Sequence, residues 1–196
     1  MKNKSLIFKS KYAVAILFTI VSLGAFVSAC KEDDDDGGTP ATTGYMQMEM
    51  TDTPANYLHV YVDIKSVEVH LSADTSNPNG WTALNTRDTI YDLLTLQNDI
   101  TAILADSTVL PTGKITQMRL ILGTRNAVML LDSSVHELVV PSGEKTGIKI
   151  NLNTTIDPNK TTRVLIDFDA DQSIKLQGNG EYKLSPVIKI EKIEVE

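Results

Sequence analysis

One thiol and one run of alternating carboxylates are the residues whose chemistry stands out. Cys30 is the only cysteine in the chain. A thiolate is the strongest nucleophile among the common side chains, which makes it the natural acceptor for a transferred lipid group. With no second cysteine there is no disulfide framework, so packing alone must hold the remainder together. Farther on, Asp167-Phe168-Asp169-Ala170-Asp171 sets three carboxylates on odd positions, hard oxygen donors of the kind calcium takes. Strand alternation turns Val164, Ile166 and Phe168 inward and leaves Asp167 and Asp169 on the outer face. A calcium loop needs Gly where Gln172 stands and a bidentate Glu where Gly178 stands. The expectation is therefore a patch of solvated carboxylates at a strand end, with no metal. His59, His70 and His136 are far apart and in no zinc-ligand spacing. No Gly-x-Ser-x-Gly elbow, phosphate loop or His-Glu-x-x-His is present, and no catalytic residue can be assigned. Paired carboxylates of a hydrolase are the one catalytic arrangement left open.

The segments around Cys30 say what its chemistry is for. Residues 1–29 carry Lys2, Lys4, Lys9 and Lys11, then the apolar run Tyr12 to Val27, then small residues, the three parts of a secretory signal. That run is shorter than the roughly 20 residues a membrane-spanning helix needs, and no basic flank follows it. Val27-Ser28-Ala29-Cys30 resembles the bacterial lipobox, and the resemblance implies that Cys30 is lipidated and becomes the new N-terminus. Two or more acyl chains give stable anchoring at about 0.8 kcal/mol per buried methylene. Behind it, Lys31-Glu32-Asp33 resembles the Bacteroidetes signal that exports lipoproteins to the outer face of the outer membrane. The aspartates to Asp36 repel one another and cannot pack, and with Gly37 to Thr43 they form a tether, so residues 30–43 read as the lipidated Cys and its tether, of roughly 20 Å average span. Loss of four lysines with the signal moves the formal net charge from −7 to −11. Such an acidic chain, without a basic patch, repels phosphate backbones, so no nucleic acid partner is expected.

Residues 44–196 must form the working domain. Met46, Met48 and Met50 alternate with polar residues, the pattern of a half-buried strand. Between Leu58 and Leu71 the apolar parity changes at Lys65-Ser66, which predicts a bulge. The closing run shows the same change, with Ile188 and Ile190 on one parity and Ile193 and Val195 on the other; Pro186 marks an edge or a bulge. Tyr91 to Leu104 carries the one plausible helix, capped by Asn98 or Asp99, while Thr89 to Leu96 fits strand and loop equally well. About nine or ten short strands with regular turns predict an all-β antiparallel β-sandwich, with at most one short helix.

Several stretches in order carry a wider resemblance: Thr51-Asp52-Thr53-Pro54-Ala55, Val60 to His70, Trp81, Leu110-Pro111-Thr112-Gly113-Lys114, Met118-Arg119-Leu120, Val140-Pro141-Ser142-Gly143, Thr146-Gly147-Ile148-Lys149, Asp167-Phe168-Asp169-Ala170 and Leu184-Ser185-Pro186-Val187-Ile188. Together they resemble the lipoprotein family catalogued as domain of unknown function 4382. The resemblance implies an all-β envelope domain and supplies no activity, cofactor or catalytic residue. The expected function is a surface-anchored, non-enzymatic binding or adhesion domain for a glycan or an envelope protein. A structural subunit of an envelope complex, pairing through the Glu181 to Val195 edge, is the alternative, and a carboxylate-dependent hydrolase is third. Trp81 is the best platform for a sugar ring.

Overall fold

Alternation of apolar residues builds the domain, and the computed structural model describes it over residues 42–72, 80–141 and 146–196. Cys30, Lys31, Glu32 and Asp33 lie outside the described residues. In chain order the strands are β1 (Thr43–Thr51), β2 (His59–Leu71), β3 (Trp81–Ala83), β4 (Asn85–Thr86), β5 (Thr89–Asp92), β6 (Ala102–Pro111) and β7 (Gly113–Leu122). There follow β8 (Ala127–Met129), β9 (Val135–Val139), β10 (Ile148–Ile156), β11 (Thr161–Asp169), β12 (Ile174–Leu176), β13 (Tyr182–Leu184) and β14 (Val187–Val195). A single α-helical turn, α1 (Ala170–Ser173), separates β11 from β12.

One sheet runs β14-β11-β1-β6-β4, and the other runs β10-β7-β2-β8-β9-β13-β12, with β3 and β5 on the second edge of β2. Their inner faces meet in one apolar core that contains Met46, Met48 and Met50 of β1, Val60, Val62, Ile64, Val67, Val69 and Leu71 of β2, Met118 and Leu120 of β7, and Val164, Ile166 and Phe168 of β11. The all-β, sandwich-like expectation holds. The strictly antiparallel expectation does not: β1 pairs β11 in parallel, and so does β9 with β13. Alternation reports which face a residue takes but not which way its neighbour runs, so direction was not legible.

Both parity changes are bulges. Pairing of β2 with β7 skips between Ile64 and Ser66, and pairing of β11 with β14 passes from Lys192 to Ile190, leaving Glu191 as the extra residue. In β2 the bulge returns Val67, Val69 and Leu71 to the core, whereas beyond the β14 bulge Ile193 and Val195 stay exposed. The predicted helix is corrected. Leu93–Leu96 forms a 3-10 turn, Ala102 already begins β6, and Asn98 and Asp99 adopt φ of 59° and 65°. Left-handed backbone at both residues rules out the extended conformation that an N-cap requires.

Candidate binding cleft

An acidic cleft of about 350 Å³ opens at the end of β1, between the turn Thr51 to Pro54, the loop Asn98 to Thr101, and Leu165, Asp167, Lys189 and Glu191 on β11 and β14. It exists because β1 and β11 run in parallel. Thr51 is level with Asp167, so the turn leaving β1 and the turn leaving β11 emerge side by side. They lock together reciprocally. Asp52 Oδ1 accepts a hydrogen bond from Ala170 N at 3.0 Å, and Thr53 Oγ1 donates to Asp167 Oδ2 at 2.7 Å. The loop is tied in by Thr51 Oγ1, which donates to Leu96 O at 2.7 Å, and by Thr101 Oγ1, which donates to Glu49 Oε2 at 3.0 Å.

The two buried carboxylates differ. Asp52 is 4% exposed and also accepts from Gln97 Nε2 at 3.3 Å. Burial, reinforced by Asp167 and Asp169 nearby and opposed by its two donors, pushes its pKa up to about 6. Asp167 is 3% exposed, and its Oδ2 also meets Lys189 Nζ at 3.0 Å. Its Oδ1 is buried without any hydrogen-bond partner. A buried acceptor left so costs about 1–3 kcal/mol, or more when charged. The Asp167 carboxylate in turn raises the pKa of the Lys189 ammonium.

The predicted patch Asp167, Asp169, Asp171 is thereby corrected. Asp167 is not solvated, because Thr53 and Lys189 cover it. Asp169 caps α1, accepting from Gln172 N at 2.9 Å, while Asp171 is exposed on that turn. The three carboxylates do not converge, and among the described residues no three His, Cys, Asp or Glu side chains are placed to hold a metal ion.

The other singled-out residues have local partners. Trp81 is half-buried, with the Arg119 guanidinium 4.4 Å from its ring centroid, Lys149 Nζ at 5.7 Å and the His70 ring edge-on. Cations already cover the ring a sugar would stack on. His59 Nδ1 lies 2.6 Å from Asp92 Oδ2, His70 Nδ1 lies 3.2 Å from Thr116 Oγ1, and His136 Nε2 lies 3.1 Å from Ser134 Oγ.

Sequence reasoning passed over Asp63, a carboxylate inside the apolar run Val60 to Ile64. It is fully buried, and Arg125 Nε and Nη2 each bond it at 2.9 Å. These bonds hold its pKa below the usual carboxylate range. Asn126 completes the lock, accepting from Asp63 N and donating to Gly123 O. A Cβ at Gly123 would fall 2.2 Å from Asp63 Oδ2, so this loop needs glycine there. An acid in an otherwise apolar strand was the available signal.

Fold and cleft together define an all-β domain whose two diagnostic turns, Thr51 to Ala55 and Asp167 to Ala170, form one wall. Residues 43–186 match the family described as Domain of unknown function (DUF4382), and the chain belongs to that family. No curated protein and no solved structure matches it.

Proposed function

We propose that the chain is a lipoprotein anchored through Cys30 to the outer membrane, facing the cell exterior, whose domain is a non-enzymatic binding module with the acidic cleft as its ligand seat. The observation that carries the seat is Asp167, a buried carboxylate in the cleft wall with one oxygen lacking a donor. The raised pKa of Asp52 suits a general acid. Yet both its oxygens are engaged by Ala170 and Gln97 inside the wall, which favours binding over acid catalysis. Strand addition at β14 is disfavoured by the bulge at Glu191 and by outward Lys189 and Lys192, devices that discourage edge pairing. The covered face of Trp81 favours a protein partner over a glycan.

Two measurements test this reading. Cells fed an alkynyl fatty acid are expected to label the wild-type chain and not Cys30→Ala, and protease shaving of intact cells is expected to remove the domain; equal labelling or full protection would count against the anchor. Amide chemical-shift mapping with a panel of envelope oligosaccharides, peptides and amines is expected to place ligand-induced shifts at 51–54, 98–101 and 189–191. Shifts confined to other surfaces would remove the cleft from the proposal.

A further inference from the structure

The chemistry of the cleft narrows what it can receive. Asp52, Asp99, Asp167 and Glu191 line it, against the single cation Lys189. Its threonines direct their protons into the wall, Thr51 to Leu96 O, Thr53 to Asp167 and Thr101 to Glu49. The inventory facing a ligand is therefore dominated by acceptors, with the Asn98 amide and Lys189 as the donors. Its complement is a cation rich in N–H groups. A bare metal ion fits poorly, because no three metal-ligating side chains converge among the described residues. An aromatic platform for a sugar is absent from the lining.

The structure also displays the kind of group that fits. Lys189 Nζ sits 3.0 Å from Asp167 Oδ2 on a side chain 63% exposed, a long arm resting an ammonium on a buried carboxylate. We infer that Lys189 is an internal placeholder, and that the cleft receives the ammonium or guanidinium group of a partner's lysine or arginine, which displaces Lys189 and bonds Asp167, with Asp99 and Glu191 at the rim. The inference rests on the cleft being the ligand seat. A placeholder differs from a structural ion pair in a testable way: removing it strengthens binding, because the ligand no longer competes with a tethered ammonium.

The test is calorimetric titration of the full chain in a neutral detergent with Nα-acetyl-lysine methylamide and Nα-acetyl-arginine methylamide. Nα-acetyl-norleucine methylamide serves as the uncharged control, calcium chloride as the metal arm and putrescine as the free amine. Saturable binding of the lysine or arginine probe is expected, with none for norleucine or calcium. Asp167→Asn is expected to weaken it at least tenfold, Asp99→Asn about threefold, and Lys189→Met to tighten it at least threefold. Circular dichroism shows whether each variant is folded, and Asp99, on an exposed loop, keeps the test decisive if Asp167→Asn is not. Putrescine binding as tightly as the lysine probe would point to free amines and overturn the peptide source. Equal binding of norleucine, calcium binding that Asp167→Asn abolishes, or weaker binding by Lys189→Met would overturn the inference. If an uncharged ligand maps to 51–54 and 98–101 while these cations do not bind, the seat stands and only its cationic specificity falls.

Discussion

Truncating Phe168 to alanine is expected to destabilise the domain by about 3–5 kcal/mol, the usual cost of removing a fully buried aromatic side chain. Phe168 is completely buried on the inner face of β11 near its C-terminal end, in a strand paired with β1 as far as Asp167 and with β14 as far as Asp169. The surrounding residues cannot close in easily, because β14 holds β11 in register through Asp169 and β1 holds it through Asp167. Its neighbours make the substitution informative about the cleft as well. Asp167 and Asp169 flank Phe168 in sequence, and both hold turns at the end of the strand. Denaturant unfolding should show the loss, and Val135→Ala, at a position 60% exposed, should stay within about 0.5 kcal/mol of the wild type. A Phe168→Ala protein as stable as that control would mean the core is not organised as described.

The second large effect is a dependence on pH. Asp52 titrates near pH 6 in the folded protein, against an ordinary value of 3.8. The folded state therefore binds this proton more tightly than the unfolded chain does, and stability contributed by the protonated form is lost as pH rises from about 4 through about 6. A shift of this size corresponds to about 3 kcal/mol. Asp52→Asn keeps an acceptor for Ala170 N and has no charge to desolvate. The stability difference between Asp52→Asn and wild type is expected to move in favour of the variant by about 2.4 kcal/mol between pH 4 and pH 7, most of that total. The groups that face Asp52 define the effect: Asp167 and Asp169 oppose its ionisation, and Ala170 N and Gln97 favour it. Carboxylates held low elsewhere, Asp63, Asp106 and Asp132, act in the opposite sense below about pH 4, outside this window. Parallel urea titrations of both proteins across that range check the prediction, and a constant difference would refute it.

Much of the fold was legible because alternation is a local signal. Met46, Met48 and Met50 announce the inner face of β1, and the displaced parity at Lys65-Ser66 announces a bulge, since burial of one face forces a correction wherever the pattern slips. Features that depend on distant partners were not legible. Nothing between Thr51 and Asp167 in the chain states that the two are level, so the Asp52 and Asp167 turns looked like separate motifs until the parallel pairing joined them. The apolar residues Ile100, Ile103 and Leu104 fit helical spacing, yet Asn98 and Asp99 take left-handed backbone that redirects the chain into β6. Asp167 looked solvated for the same reason: its cover comes from Thr53 and Lys189, each remote in sequence.

The parallel pairing of β1 with β11 also gives the domain a load path. The N-terminal segment joins β1 at Thr43, and the cleft begins where β1 ends, at Thr51, eight residues on and about 26 Å away. With the chain anchored and the cleft occupied as proposed, a partner seated there and a tether drawn tight at Thr43 would pull on the two ends of one strand. That strand is clamped between β6 and β11, with seven residues in register on the β11 side. Its rungs lie across the pull and share it, so the strand is loaded in shear rather than unzipped from one end.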